Sequence, residues 1–241
     1  FFSLEMSAEQ LATRILAEQT EISSEHIRRG ELTTEDFQKL VAASQHLERA
    51  PLYIDDTPAI SIATMRARAR RLKRQQGLSL IVVDYLQLMR PSVGQRTDNR
   101  VQEISMITQG LKAIAKELEV PVIALSQLSR AVEQREDKRP VLADLRESGS
   151  IEQDADVVMF VFREQYYLEK GEPAQRIEES DEKFHDRHDQ WKERCETSYG
   201  KAEVIIGKQR HGPTGTVPLH FEGATTRFSN FVADDHIPDN F

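Results

Sequence analysis

Cysteine is almost absent. Cys195 is the only one in 241 residues, which excludes an internal disulfide and a multi-cysteine metal site and points to a reducing cytoplasm. Long apolar runs are missing too: none approaches the roughly 20 residues that a helix needs to cross a bilayer, so no membrane partner is expected. Positive charge is in the minority, with 32 Lys and Arg against 40 Asp and Glu and a net charge of −8. Bulk electrostatics therefore give no nucleic-acid footprint, and any such binding has to come from local basic loops. No secretory pattern is present, and the chain opens inside an apolar run without an initiator Met, so we expect residues upstream of Phe1. The remainder, 39% hydrophobic and 30% charged, has the composition of a soluble globular protein with one sizeable core, or one domain with a large excursion.

The chain is organised around residues 79–88, SLIVVDYLQL. The apolar run 80–83 lacks polar alternation, as expected of a strand buried on both faces of a parallel sheet. It ends in Asp84, a carboxylate that is costly to bury without a cation or donor. In open α/β sheets ligands sit beyond the carboxyl ends of the strands, which places Asp84 where a ligand belongs, and a strand-end Asp of this kind is how phosphate-handling ATPases hold Mg2+. Alone, such an Asp is equally well read as the cap of the next turn. Two further apolar pieces end in the same way: residues 1–4 in Glu5, and residues 121–125 in Ser126 and Gln127. A metal-binding carboxylate, a second carboxylate to activate water and an amide to sense a phosphate would make a nucleotide-hydrolysis site.

In chain order, Ser7 and Gln10 form a capping box that opens a helix with Leu11 and Ile15 on one face. After a polar connector, Phe37, Leu40, Val41, Ser44 and Leu47 keep helical spacing, with Thr33 or Thr34 as cap. Pro51 closes that helix, and residues 52–54 are a short strand candidate. Ser61 caps a third helix with Ile62, Met65, Ala69 and Leu72 inward and Gly77 as its stop. Its other face carries Arg66, Arg68, Arg70, Arg71, Lys73 and Arg74. Without interleaved aromatics this reads as a solvated or subunit-facing surface rather than a nucleic-acid patch. A polar loop over 90–100 leads to a helix over 101–118, then the strand ending near Gln127, so strand, helix and strand form a right-handed parallel crossover. A mobile loop with Arg130, Arg135, Lys138 and Arg139 follows, then a buried strand at 157–162. Residues 164–200 are densely charged and lack a sustained apolar stripe. They read as a helical or partly disordered surface insertion with no function of its own. Strands return at 203–206, 217–221 and 226–231, the first two joined by a Gly-Pro-Thr-Gly hairpin turn, and the tail beyond Val232 frays.

Five stretches, FSLEMS at 2–7, LIVVDYLQLM at 80–89, PVIALSQLSR at 121–130, DLRESGSIEQDADVV at 144–158 and KQRHGPTG at 208–215, resemble the replicative DNA helicases of the DnaB family, in that family's order and across almost the whole chain. The resemblance implies an α/β fold: a RecA-like core with a mostly parallel twisted sheet flanked by helices, C-terminal antiparallel hairpin strands, and one motor domain over residues 1–241. It implies ATP and Mg2+ as cofactors, single-stranded DNA and other copies of the chain in a hexameric ring as partners, primase and a helicase loader as partners of the full-length protein, and a cytoplasmic location. By resemblance, Glu5 polarises the attacking water, Asp84 coordinates magnesium and Gln127 links nucleotide state to the DNA loops. Lys208 and Arg210 match residues that reach the neighbouring subunit's nucleotide, as an arginine finger does. Arg146, Glu147 and Gly149 match positions that hold the DNA backbone. Gly149 suits this because its amide can approach phosphate closely, and at Glu147 the main chain is expected to matter more than the side chain. Arg130, Lys138 and Arg139 are further DNA candidates.

The pattern departs from the family at one point. No G-x-x-x-x-G-K-[ST] is present: the Gly-Lys pairs Gly200-Lys201 and Gly207-Lys208 lack both the earlier Gly and the following Ser or Thr. In the family that loop, like the primase-binding collar, lies upstream of FSLEMS. We therefore expect a piece of a longer helicase that hydrolyses ATP poorly by itself. The alternatives are another RecA-like ATPase, or a non-catalytic module that binds helicase subunits or a loader.

Overall fold

The computed structural model describes residues 1–91 and 99–231, with 146–150 described in their backbone alone. The chain divides into two compact units, Phe1–Val158 and Met159–Phe241.

In the first unit β1 (Phe2–Ser3) is followed by α1 (Ala8–Thr20), α2 (Ser24–Arg29), α3 (Thr34–Arg49) and α4 (Ile62–Gln76). Then come β2 (Ile81–Asp84), α5 (Arg100–Leu118), β3 (Val122–Ala124) and α6 (Gly149–Asp154), with short 3-10 turns at Leu86–Leu88, Arg130–Gln134 and Leu142–Ser148. The three strands form one sheet in the order β1-β2-β3. Both pairings are parallel, with Ser3 opposite Asp84 and Val83 opposite Ala124.

Local chemistry starts and stops the helices as the residues dictate. Ser7 and Gln10 make the full capping box of α1, Thr33 and Asp36 make that of α3, and Ser61 accepts from the Thr64 amide while Gly77 closes α4. The connector between the first two expected helices itself holds α2, capped by Ser23 and closed by Gly30 in the left-handed region at φ 70°, where glycine avoids the Cβ penalty. The core is built from the inward stripes of α4 and α5 with β2: Met65, Ile81, Val83, Ile104, Ile107 and Ile114 are all buried to within 2%. Residues 52–54 form no strand. Only Asp55 bridges to Phe2, exchanging main-chain bonds with Phe1 and Ser3 at 2.9 Å each. Most of the polar loop expected over 90–100, namely 92–98, lies outside the described residues, as does the tail beyond Phe231.

β4 (Val157–Phe162) heads a four-stranded sheet in the order β4-β5-β6-β7, where β5 is Lys201–Gln209, β6 Gly215–Glu222 and β7 Arg227–Asn230. The β5–β6 and β6–β7 pairings are antiparallel, as the turn chemistry predicts. β4 is buried on one face only: Val158, Phe160 and Phe162 are inside, whereas Val157, Met159 and Val161 are 45–60% exposed. The expectation of a buried strand thus holds for one face of it.

The charged stretch holds two helices joined by a non-helical connector, the helical one of the two alternatives. α7 (Glu164–Lys170) packs against α8 (Asp181–Ser198). The indole of Trp191 donates to the Leu168 carbonyl at 3.0 Å, and Arg187 forks onto both oxygens of Glu179 at 3.0 and 2.6 Å. Specific polar contacts supply what the missing apolar stripe does not.

Candidate active site

Three parallel neighbours must present their carboxyl ends at one edge, roughly 5 Å apart from strand to strand. Asp84 is the last residue of β2. Glu5 lies two residues past β1 and Gln127 three past β3. The structure therefore brings Glu5, Asp84 and Gln127 to the same rim, with Glu5 and Gln127 exposed and Asp84 half-buried.

The backbone at that rim is tied strand to strand. The Leu4 amide donates to the Asp84 carbonyl at 2.7 Å, the Leu125 amide to the Val83 carbonyl at 2.9 Å, and the Leu86 amide to the Leu125 carbonyl at 2.9 Å. The parallel ladder thus runs past the formal ends of the strands. Ser3, 1% exposed, turns its hydroxyl to the Met6 carbonyl at 2.7 Å and closes the turn that carries Glu5. On the outer side of β1, burial pushes the Asp55 carboxyl up, but hydrogen bonds from Arg68 at 2.6 and 2.7 Å and from Thr57 outweigh it and hold the group below its usual range.

Among the described residues no group of three or more His, Cys, Asp or Glu side chains could enclose a metal ion. A rim that offers one or two carboxylates fits Mg2+, which characteristically takes that number from the protein and completes its shell with phosphate oxygens and water. Asp84, half-buried at the end of β2, is one carboxylate at this rim, and Glu5 is another. A cavity of about 390 Å³ lies at the opposite ends of the strands, among Phe1, Tyr53, Asp55, Arg68, Leu72 and Leu80. None of the three rim residues lines it.

The basic loop after β3 is pinned. Asp144, 7% exposed, accepts from both terminal nitrogens of Arg135 at 3.1 and 2.9 Å and from the Val141 amide at 2.8 Å. Its carbonyl takes the Ser129 amide at 3.1 Å. These bonds occupy Arg135 within the loop. Of the DNA candidates in this loop, Arg130 opens the 3-10 turn and is exposed. Lys138 donates to the Glu133 carbonyl at 3.1 Å, and Arg139 stands 3.8 Å from Asp137. Arg146 and Glu147 fall in the 3-10 turn ending at Ser148, and Gly149 opens α6; their side chains lie outside the described residues. α6 is fastened to α5 by Thr108, whose hydroxyl donates to Asp154 at 2.6 Å, and by Lys112, which reaches the Asp154 carbonyl at 2.7 Å.

Part of the arginine-rich face of α4 is paired within the chain. Arg66 and Arg70 both pair with Glu117 of α5, Arg68 pairs with Asp55, and Lys73 donates to the Leu118 carbonyl. In the second unit, Lys208 lies near the end of β5 and is half-buried, while Arg210 is exposed just beyond it.

The family model of the DnaB-like helicase C terminal domain matches residues 1–230. The chain is 53% identical over 230 residues to the replicative DNA helicase DnaB of Rickettsia felis, covering 95% of this chain and 44% of that protein. It is 49% identical over 229 residues to the DnaB of Geobacillus stearothermophilus, covering 95% and 45%. The chain thus spans less than half the length of these relatives. Among solved structures it resembles one described as an ATPase domain, with TM-score 0.78, 37% identity, and 96% of this chain and 73% of that one covered. The same TM-score and identity relate it to a DnaB-like replicative helicase whose structure was described with its interactions with primase, covering 96% of this chain and 50% of that one. The α/β, RecA-like fold stands as expected. With a match running from the first residue to 230, this chain belongs to the DnaB-like helicase C-terminal domain family.

Proposed function

We propose that this chain is the motor domain of a replicative DNA helicase, converting ATP hydrolysis into movement along single-stranded DNA as part of a hexameric ring in the bacterial cytoplasm. The observation that carries the reading is the placement of Glu5, Asp84 and Gln127 on one rim of adjacent parallel strands, in a chain of this family. Glu5, exposed and carried on a closed turn, orients and deprotonates the attacking water. Asp84 holds Mg2+, which when bound neutralises charge on the phosphates. The Gln127 carboxamide hydrogen-bonds a terminal phosphate oxygen and registers its loss. Lys208 and Arg210 serve the nucleotide of a neighbouring copy, which requires head-to-tail contacts that close into a ring. Arg146, Glu147 and the Gly149 amide hold the DNA backbone, with Arg130, Lys138 and Arg139 adding charge, so that binding is blind to base sequence. Primase and a loader are partners of the longer protein. Residues 1–241 contain no G-x-x-x-x-G-K-[ST], and by themselves they turn ATP over poorly.

The test uses the longer protein with its upstream residues. Glu5→Gln lowers hydrolysis by about 100-fold or more while nucleotide binding persists, within the range that a positioned base supplies. Rings assembled from Glu5→Gln and Arg210→Ala subunits recover part of the activity that each lacks alone, because some interfaces are then intact. Wild-type turnover by Glu5→Gln overturns the proposed site, and failure of the mixed rings to recover any activity overturns the role in trans.

A further inference from the structure

Gln127 lies three residues beyond β3 and two beyond Leu125, whose main chain is still bonded to the β2 side, where a chain usually gains freedom. A side chain that reports the presence of a phosphate needs a fixed main chain beneath it. The fixing group is Gln87, in the 3-10 turn that follows β2. Its carboxamide meets both polar groups of the Gln127 backbone: Oε1 accepts from the Gln127 amide at 3.2 Å, and Nε2 donates to the Gln127 carbonyl at 3.1 Å. The same Nε2 donates to the Ser126 hydroxyl at 2.9 Å. A primary carboxamide carries an acceptor and two donors side by side, which matches a residue's own N–H and C=O as a neighbouring strand would. All of these bonds go to Ser126 or to the main chain of Gln127, so the Gln127 carboxamide takes no part in them. Gln87 is held in turn from α5, whose first residue, Arg100, donates to the Gln87 carbonyl and pairs with Glu103 at 2.8 Å.

We propose that Gln87 is a positioning residue for the reaction: it clamps the Gln127 backbone across the exits of β2 and β3 so that the Gln127 side chain keeps its place at the rim. The proposal rests on the reading of Gln127 as the phosphate-sensing amide. Glutamate at this position keeps the shape and an acceptor but has no donor for the Gln127 carbonyl or Ser126. Methionine keeps the volume and removes every polar contact.

The experiment measures DNA-stimulated ATP hydrolysis by the full-length helicase carrying Gln127→Ala, Gln87→Met, Gln87→Glu, and Gln87→Met with Gln127→Ala. The expected result is a fall in kcat of about 10- to 100-fold for Gln127→Ala and for Gln87→Met, the scale of a misplaced reacting group, with KM for ATP changed less than about twofold. Gln87→Glu falls between wild type and Gln87→Met. The double variant is no slower than the slower single one, because both changes remove the same placement. If Gln127→Ala slows hydrolysis while Gln87→Met and Gln87→Glu both stay within about twofold of wild type, the clamp is refuted and the reading of Gln127 stands. Multiplying losses in the double variant also refute it, since they mean that Gln87 acts elsewhere. Unchanged kcat in Gln127→Ala overturns the reading of Gln127, and the clamp falls with it.

Discussion

Removing the Asp144 carboxylate should release the basic loop between β3 and α6. In Asp144→Ala the Val141 amide loses its acceptor and the Arg135 guanidinium loses both oxygens of its fork. A neutral hydrogen bond contributes about 1 kcal/mol, and charge-assisted ones about 1.5–3 when shielded. Arg135 is 36% exposed on its side chain against 7% for Asp144, so solvent screens the pair and the fork is taken at the low end. Together the lost bonds amount to about 2–3 kcal/mol. If the loop opens as a unit, this corresponds to about 30- to 150-fold faster hydrogen exchange at the Ser129 and Val141 amides, at 1.36 kcal/mol per tenfold. Should unfolding be global, it lowers the urea midpoint by about 1 M. Arg135→Lys should recover only part of the wild-type protection, because an ammonium cannot reproduce the planar fork. Exchange at both amides within about threefold of wild type, together with an unmoved midpoint, would refute the assignment of Asp144 as the anchor.

Three further outcomes follow from particular contacts. Gly110→Ala, although it favours helix, should destabilise the chain by about 1 kcal/mol, because the new Cβ meets Ile62 Cγ2 at 2.7 Å where α5 crosses α4; thermal melts should show the loss, and the same change made in an Ile62→Ala background should cost less or nothing. The side-chain hydrogen bonds of Arg187, with the Arg176 amide, lower the Glu179 carboxyl from 4.5 to about 2. Its contribution to folding is therefore complete above about pH 4.5 and is lost as pH falls toward 2, which fluorescence of the single Trp191 follows; carboxyl-selective NMR should show Arg187→Gln returning the group toward its ordinary range. Ser7→Ala removes the side chain that accepts from the Gln10 amide and should cost about 1 kcal/mol in chemical denaturation.

The amino-acid sequence by itself determined where α1, α3 and α4 begin and where α4 ends, because caps such as Ser7, Thr33, Ser61 and Gly77 act over three or four residues. It also determined the strand ends that deliver Glu5, Asp84 and Gln127, since an apolar run broken by a polar residue is a local signal. Five ordered motifs were enough to indicate the family. Tertiary structure alone decided which charges meet. Glu117 is shared by Arg66 and Arg70, and Asp55 holds Arg68, each pairing residues apart in sequence. The Asp144–Arg135 anchor joins residues only nine apart but needs the loop's actual path. The same holds for Gln87, which was quoted within its motif and given no role, because its partner at Gln127 becomes a neighbour only once β2 and β3 lie parallel. The contacts within 164–198 were likewise hidden: the sequence left helix and partial disorder open there, and only the folded path of α7 and α8 brings the polar groups of Trp191, Arg187 and Glu179 to their partners. Periodicity and capping are written in near neighbours, whereas ion pairs and carboxamide clamps depend on where the backbone travels in between.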